Sequence, residues 1–226
     1  MGYVLAIGDR AYSSWSLRGW LAFAAFGLEV ETVSLPMDDP GFAAGLAAFG
    51  PARTVPALRI EGVGILWDTL AIAETLAERH PGIAFWPREP GARALARALA
   101  AEMHAGFAAL RRHCPMDLRA AYAGFAPGAE VLADLARIEM LWAVAREGRA
   151  EAEPWLFGDY SLADVFFAPV AARIATYRLP VGAEARAYVA AHLAHPAFRA
   201  WRAVALADPR RLPSGGDGLA ELPWPG

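Results

Sequence analysis

The spacing of hydrophobic and polar residues changes along this chain near residue 80. Before that point, short apolar runs predict β-strands, and stretches with an apolar residue at every third or fourth position predict helices between them. The predicted strands span residues 3–7, 29–35, 57–61 and 64–67, and the predicted helices span residues 17–25, 39–49 and 68–79. The order βαβαββα predicts a small mixed sheet with helices on both faces.

The second part of the chain follows a proline-rich linker at residues 81–90 and shows only helical spacing. One long helix is predicted over residues 91–113, and the tail from Asp208 is expected to be irregular. Further predicted helices span residues 131–145, 161–177, 183–194 and 196–206. We therefore expect a thioredoxin-like domain over residues 1–80, since that fold has the βαβαββα order, and an all-helical domain over residues 91–226.

Composition excludes several classes of protein. The 226 residues are 56% hydrophobic with a net charge of −3, which is typical of a folded chain and not of a disordered one. No basic face indicates a nucleic-acid partner, no apolar run reaches the roughly 18 residues of a membrane span, and the first residues lack a cationic secretory leader. The single cysteine, Cys114, cannot form an intrachain disulfide, which indicates a reducing, cytoplasmic setting.

The side-chain repertoire excludes several kinds of chemistry as well. All 21 residues counted as lysine or arginine are arginine, and the chain contains no asparagine or glutamine. A lysine Schiff base and an oxyanion hole built from side-chain amides are therefore excluded. The five histidines do not show the spacing of metal ligands, so we expect no metal site.

The first candidate motif is Tyr-Ser-Ser-Trp-Ser-Leu-Arg at residues 12–18, between the first predicted strand and helix. Ser13 and Ser16 have the spacing of a Cys-x-x-Cys pair, so dithiol redox chemistry is excluded. Free N–H groups at a helix N-terminus stabilise anions, and a serine hydroxyl there can donate to a thiolate. Because the chain has no thiol at this point, the thiol would belong to a bound substrate. The alternative is that Ser13 or Ser14 is simply the N-cap of the helix.

Two further motifs indicate recognition of an extended, zwitterionic ligand. Val55 and Pro56 precede the third strand, and a cis peptide bond between them would leave the backbone of Val55 free to pair with a peptide. The alternative is an ordinary proline at the start of a strand. Asp68 and Thr69 begin the next helix, where they can meet an ammonium and a carboxylate while Asp68 also caps the helix. Ser161 and Asp164 have the spacing of a capping box.

Taken in order, the motifs Ser-Ser-x-Ser-x-Arg, Thr-Val-Pro, Asp-Thr-x-Ala-Ile and Tyr-Ser-Leu-Ala-Asp resemble those of the cytosolic glutathione S-transferases. The resemblance covers essentially the whole chain and is greatest to the zeta class and related bacterial serine-type members. It implies glutathione as co-substrate, a small electrophilic or hydrophobic second substrate, no metal and a cytoplasmic homodimer.

The resemblance also implies roles for single residues. Ser13 matches the family's catalytic serine, with Ser14 beside it. Val55 matches the residue whose backbone pairs with the cysteinyl unit before the cis-proline, Pro56. Asp68 and Thr69 match the acidic and hydroxyl residues that hold the γ-glutamyl end.

Departures from the family pattern affect three positions. Trp15 stands where zeta enzymes carry a cysteine, and Asp68 is one methylene shorter than the usual glutamate. Thr54 replaces the usual lysine or glutamine, so Arg53 is the nearest cation for the glycyl carboxylate. The reaction expected is conjugation of glutathione to an electrophile. A glutathione-dependent isomerase and a non-catalytic binding protein are the alternatives.

The pocket for the electrophile is expected between the two domains, where ligand sites concentrate. The residues expected to form it are Trp15, Met103, His104, Phe107 and Arg111. His104 is interpreted either as a general acid or polar anchor, or as a partly buried histidine with a structural role.

Overall fold

The computed structural model describes residues 2–147, 153–213 and 215–225. Its first part has the βαβαββα order of the thioredoxin-like fold, which confirms the predicted class. The elements are β1 (Tyr3–Ile7), α1 (Ser14–Ala24), β2 (Glu31–Ser34), α2 (Phe42–Ala47), β3 (Ala57–Ile60), β4 (Gly64–Trp67) and α3 (Thr69–Arg79). The predicted boundaries differ from these bounds by a few residues, mainly at β2 and α2.

The four strands form one mixed sheet in the order β2-β1-β3-β4. β1 runs parallel to β2, and β3 is antiparallel to both β1 and β4. Leu5 in β1 lies opposite Thr32 on one side and Leu58 on the other. Leu5 and Leu58 are fully buried because helices cover the sheet, which is why β1 is a continuous apolar run.

The second part is mostly helical, as predicted for this fold class. Its elements are α4 (Pro90–Ala105), α5 (Ala108–His113), β5 (Ala121–Ala123), α6 (Ala129–Arg146), α7 (Leu162–Tyr177), α8 (Ala183–Ala194), α9 (Pro196–Ala207) and β6 (Ala220–Leu222). Within the described residues, no helix combines the length and the apolar character needed to cross a bilayer. The division of the chain at residues 80 and 91 stays a prediction.

The single helix predicted over residues 91–113 is wrong, because the chain breaks between α4 and α5. Gly106 is extended, and Phe107 adopts a left-handed conformation with φ 60°. The Arg111 side chain folds back and donates to the last carbonyls of α4, with Nε 2.9 Å from the Gly106 oxygen and Nη2 3.2 Å from the His104 oxygen. These carbonyls lack helical partners, so the guanidinium caps the helix end. The apolar spacing continues across the break and therefore does not reveal it.

The expectation that residues after 91 form only helices and an irregular tail is also wrong at one place. β6 lies in the predicted tail and pairs antiparallel with β5, with Ala121 opposite Leu222 and Ala123 opposite Ala220. Each strand has only three residues. An alternation of apolar and polar residues needs a longer stretch to be recognised, so the sequence pattern gives no signal here.

Helix α7 forms the centre of the second part. All of its residues are buried, and it packs against α1, α4 and α8. The predicted capping box at its start is present: Asp164 Oδ2 accepts from the Ser161 backbone at 2.8 Å and from the Ser161 hydroxyl at 3.0 Å. The other oxygen of Asp164 accepts from the Tyr188 hydroxyl at 2.8 Å. Four hydrogen bonds in all hold this buried carboxylate, the fourth from the Leu156 backbone, and they fix α7 against α8 and the preceding loop.

Candidate functional site

The N-terminus of α1 begins at Ser13, which has extended backbone angles and acts as the N-cap. Its hydroxyl oxygen accepts from the Ser16 backbone N–H at 3.3 Å and donates to the Ser16 hydroxyl at 2.8 Å. Ser16 in turn accepts from the Gly8 backbone N–H at the end of β1, 2.9 Å away. The structural role predicted as the alternative for Ser13 is therefore present, and it connects α1 to β1.

Ser14 lies in the first turn of α1 and is buried beside Arg173 of α7. Arg173 Nη2 donates to the Ser14 hydroxyl oxygen at 3.3 Å, and its Nε donates to the Cys114 carbonyl at 2.9 Å. Burial lowers the pKa of Arg173 to about 10, which leaves it cationic at neutral pH. Among the described residues, no acceptor takes the hydroxyl hydrogen of Ser14.

Helix α1 approaches the start of β3 very closely. A Cβ atom at Gly19 would lie 2.8 Å from Cγ of Pro56, so only glycine allows this distance. The peptide bond between Val55 and Pro56 is cis. Val55 is buried, whereas Arg53 and Thr54 before it are exposed.

Asp68 and Thr69 stand at the start of α3. Asp68 has φ 77°, a value that is rare for a residue with a side chain and often marks a functional site. Its Oδ1 accepts from the Leu70 backbone N–H at 2.8 Å, which makes it the N-cap of α3. Its Oδ2 lies 3.1 Å from Nε2 of His104, and the Thr69 hydroxyl lies 3.4 Å from Nδ1 of the same ring. The start of α3 and the last turn of α4 therefore meet here.

A cavity of about 460 Å³ lies where these elements meet. Residues from both parts of the chain line it: Trp15, Thr54, Val55, Pro56, Asp68, Thr69, His104 and Ala105. It brings together most of the residues predicted for glutathione and two of those predicted for the electrophile. Ser13, Ser14 and Arg53 are not in its wall, although Ser14 and Arg53 are each adjacent in sequence to a residue that is, and Ser13 is two residues from Trp15.

Trp15 is held on one side of the cavity by cations and a ring. The guanidinium carbons of Arg18 and Arg111 each lie 4.8 Å from the centre of the Trp15 indole, and the edge of His104 packs at 5.0 Å. Arg18 is 1% exposed, and its Nε donates to the Phe166 carbonyl at 2.9 Å. Burial lowers the pKa of Arg18, and the nearby guanidinium groups lower it further.

The other residues predicted for the electrophile lie outside the cavity wall. Met103 is fully buried in the core, Phe107 is buried at the break after α4, and Arg111 caps α4. Arg173 was missed by the sequence analysis. The signal was a charged residue in the middle of an otherwise apolar helix, which indicates a functional or structural need for the charge.

The environment of Cys114 does not support a catalytic role for its thiol. Its side chain is fully buried, and burial raises the pKa of the thiol to about 12. A thiol in this state stays protonated and unreactive. Across the part of the chain that the structure describes, no three His, Cys, Asp or Glu side chains are grouped so that they could hold a metal ion.

A larger groove of about 1080 Å³ lies among α7, α8 and α9, away from these residues. Apolar side chains such as Leu179, Val189 and Leu193 form its floor, with Arg178 and Arg186 among its charged residues. None of the residues predicted for catalysis or glutathione binding lines it. The smaller cavity is therefore the candidate site, because the three sequence motifs meet there.

A thioredoxin-like sheet joined to a helical part, with a cavity between them that contains a cis-proline and a helix N-cap acid, defines the class of the protein as glutathione S-transferase-like. Residues 12–79 match the family model described as glutathione S-transferase, N-terminal domain. Residues 12–79 therefore carry a glutathione S-transferase N-terminal domain, and the chain as a whole is similar to members of that family, zeta-class enzymes among them.

The relatives agree with this assignment. The probable maleylacetoacetate isomerase of Caenorhabditis elegans is 34% identical over 90 residues, which cover 40% of this chain. The matched stretch covers 41% of the length of that curated relative. Maleylacetoacetate isomerase of Mus musculus is likewise 34% identical, over 91 residues and 41% of its own length.

Solved structures cover far more of the chain. Maleylacetoacetate isomerase from Anaeromyxobacter dehalogenans 2CP-1, with bound GSH in its active site, is 27% identical with a TM-score of 0.59. The alignment covers 88% of this chain and 94% of that one. A glutathione transferase homolog from Burkholderia with bound glutathione has a TM-score of 0.65 at 23% identity, over 91% of this chain and 98% of that one, and supports the fold alone.

Proposed function

We propose that this protein binds glutathione in the 460 Å³ cavity and activates its thiol as a thiolate for attack on an electrophile. The observation that carries this proposal is the convergence of three separate motifs on one cavity. Trp15, Val55 and Asp68 come from the first, second and third motif and line the same wall. Glutathione needs this combination, because it is an extended peptide with a zwitterionic end and a thiol between its two ends.

The two ends of glutathione fit different parts of the site. Asp68 and Thr69 would receive the ammonium and carboxylate of the γ-glutamyl unit, since α3 begins there with free backbone N–H groups. The backbone of Val55 would pair with the cysteinyl unit. Arg53 is exposed beside it and can take the glycyl carboxylate as a two-pronged donor.

The thiolate would lie at the N-terminus of α1, near Ser13 and Ser14. A helix N-terminus stabilises an anion by about 0.3–1 kcal/mol, and a hydrogen bond to a charged group contributes about 1.5–3 kcal/mol. Together these effects can move a thiol pKa from about 8.5 towards neutrality. Ser14 is favoured as the donor because its oxygen accepts from Arg173, whereas the hydroxyl of Ser13 is already bonded to Ser16.

A glutathione-dependent isomerase is the second candidate, and the names of the relatives favour it. Both the curated relatives and the Anaeromyxobacter structure are named maleylacetoacetate isomerases. Such a reaction would use the same thiolate, with glutathione regenerated at the end. Trp15, which contacts the guanidinium groups of Arg18 and Arg111, lines the cavity at the position where zeta enzymes carry a cysteine.

Titration of glutathione into the protein at neutral pH, followed by ultraviolet difference absorbance of the thiolate, tests the proposal. We expect a saturable thiolate signal that disappears in Ser14→Ala and persists in the control Ser34→Ala, an exposed serine of β2. Loss of the signal in Ser13→Ala alone would assign the donor to Ser13. A signal that persists in both variants would overturn the serine mechanism, and saturable binding without a signal would favour a non-catalytic binding protein.

We also propose a cytoplasmic homodimer. Exposed apolar side chains support a dimer surface, since Leu132, Met140 and Val144 recur along one side of α6 and Trp67 is exposed on the edge strand β4. Sedimentation at micromolar concentration is expected to give twice the chain mass of 24.2 kDa. A species of chain mass alone would contradict the dimer.

A further inference from the structure

His104 reaches from the last turn of α4 to the beginning of α3 and contacts two side chains there. Its Nε2 lies 3.1 Å from Oδ2 of Asp68, and its Nδ1 lies 3.4 Å from the hydroxyl oxygen of Thr69. The ring is fixed from other directions by the edge contact with Trp15 at 5.0 Å and by Phe166 at 6.2 Å. One imidazole therefore connects both residues that we assign to the γ-glutamyl end.

One carboxylate oxygen of Asp68 accepts a backbone hydrogen bond within α3, and the other contacts His104. Oδ1 caps α3 through the Leu70 N–H, so Oδ2 is the oxygen that can meet a ligand ammonium. The side chain is 44% exposed, whereas the His104 side chain is 22% exposed. Both residues line the cavity, so a ligand there can reach the more exposed Asp68 while His104 keeps its contact with it.

The hydrogen-bond directions at this contact follow from the chemistry of the groups. A carboxylate only accepts, so Nε2 of His104 must carry a hydrogen and donate it to Asp68. In the neutral imidazole, Nδ1 is then an acceptor, and the Thr69 hydroxyl donates to it. While His104 is neutral, the Thr69 hydroxyl therefore accepts from a ligand, and the γ-glutamyl carboxylate is received by the free backbone N–H groups at the start of α3. Protonation of His104 reverses this hydrogen bond and places a second cation beside Asp68.

The charged groups around His104 have opposite effects on its pKa. Asp68 of the α3 N-cap favours the protonated ring, whereas Arg18 of α1 and Arg111 of α5 disfavour it. Burial has the largest effect, and the pKa of His104 lies below the usual value of about 6.5. The neutral ring is thus the form present at neutral pH, and protonation requires a pH below that usual value.

We propose that His104 is a positioning residue for the amino-acid end of the ligand: it orients Asp68 and Thr69, and in its neutral form it leaves Asp68 to the ligand ammonium. The inference rests on the proposed binding of glutathione in this cavity. It gives a reason why an α4 side chain enters a site otherwise formed by the first part of the chain. It also predicts that binding weakens in mild acid, because a protonated ring repels the ammonium.

The probe that tests this is S-methylglutathione, which keeps both ends of glutathione but has no thiol to titrate. Binding is measured by isothermal titration calorimetry at about pH 7.5 and about pH 5.5, a range in which histidine changes charge. His104→Phe keeps a ring against Trp15 and removes both polar contacts. His104→Gln keeps a donor and an acceptor side by side but does not titrate. His113→Phe, at a half-exposed histidine of α5, is the matched control.

We expect His104→Phe to bind S-methylglutathione about tenfold more weakly than the unmodified protein at neutral pH, the cost of one lost charge-assisted contact. His104→Gln should bind within a few-fold of the unmodified protein at neutral pH and lose most of the weakening between pH 7.5 and pH 5.5. His113→Phe should behave as the unmodified protein at both values.

Two results would overturn the positioning role: equal binding by His104→Phe, or an unchanged pH profile in His104→Gln. The pH profile keeps the test decisive even where the phenylalanine variant folds poorly, since the glutamine variant supplies it. If the unmodified protein does not bind S-methylglutathione at all, the proposed function itself fails. Normal binding with unaffected histidine variants overturns only the role of His104.

Discussion

Several single side chains carry titratable groups into fully buried positions, and most of them are held by defined partners. Asp164 accepts four hydrogen bonds, which offset the burial that raises its pKa. Arg173 donates to two carbonyls and a hydroxyl. His192 lacks such partners, because neither of its ring nitrogens makes a hydrogen bond. It is packed instead against the rings of Tyr188 and Trp155.

His192 is therefore expected to make the protein less stable in acid. Burial lowers the pKa of the folded-state ring to about 3, and His195 and Arg146 act in the same direction. The unfolded chain takes up this proton below about pH 6.5, so its contribution to stability is complete above that value and declines from pH 6.5 towards pH 3. The loss between pH 6.5 and pH 5 is about 2 kcal/mol.

Urea unfolding at a series of pH values measures this dependence. In His192→Leu the slope of the unfolding free energy between pH 6.5 and pH 5 should be smaller by about one proton. His113→Leu, at an exposed ring paired with Glu130, serves as the control. Equal slopes in the His192 variant and the unmodified protein would show that the ring is not buried in its neutral form.

At the scale of elements, the position of α1 decides the geometry of the site. Its N-terminus begins at Ser13, and its middle touches Pro56 through the space that Gly19 leaves open. A larger residue at Gly19 would push α1 from the start of β3. Because Trp15 lies on α1 and Val55 lies just before β3, the width of the cavity depends on this contact.

Gly19→Ala should destabilise the protein by about 1–3 kcal/mol, the usual cost of overpacking, although alanine favours a helix more than glycine does. The same variant should bind glutathione more weakly. The control is Gly82→Ala, where an added Cβ has no atom within 4 Å and the backbone angle is ordinary. Thermal melts and calorimetric titration report the two effects, and a Gly19 variant as stable as the Gly82 variant would contradict the close contact.

The elements also show what the sequence pattern could and could not predict. The apolar spacing and the capping residues predicted the order of strands and helices in the first part, the start of α3 at Asp68 and the capping box at Ser161, because each is a local property of the chain. The break at Phe107 was missed because Arg111, five residues after Gly106, supplies the cap through its side chain. The residues of the candidate site were predicted from the order of four sequence motifs, which resembles the order found in the glutathione S-transferase family.

The contacts of the site depend on distances that no local pattern contains. His104 meets Asp68 across 36 positions of sequence, and Arg173 meets Ser14 across 159. The helical spacing predicted that His104 shares one face of its helix with the other pocket candidates, but it could not predict which residues that face contacts. Arg173 was visible only as a charge within an apolar helix.

At the scale of the whole molecule, the chain after α9 returns to the loop that follows β1. Arg210 Nη2 lies 2.8 Å from Oδ1 of Asp9, a carboxylate whose side chain is only 5% exposed. The Met37 backbone N–H donates to the other oxygen of Asp9 at 2.9 Å. Trp201 Nε1 donates to the Arg10 carbonyl at 2.8 Å, so the end of the chain and the loop that precedes α1 are joined at several points.

Arg210→Met should lower the free energy of unfolding by about 1–2 kcal/mol, because it leaves the buried Asp9 carboxylate without its counter-ion. Arg211→Met is the matched control, since Arg211 pairs with Glu221 on the surface and such pairs contribute little. Chemical unfolding of both variants gives the comparison. Equal losses in the two would mean that the Asp9 pair behaves as a surface pair.

Because Cys114 is fully buried, reaction of its thiol with a reagent reports local unfolding of the protein. A thiol reagent should not modify Cys114 in the folded protein. It should label Cys114 at the rate at which α5 moves away from α7 and Arg173. Under the proposed function, an electrophile in the cavity would meet the glutathione thiol and not the buried thiol of Cys114. A protein that handles thiol-reactive compounds would in this way be protected from alkylation by its own substrates.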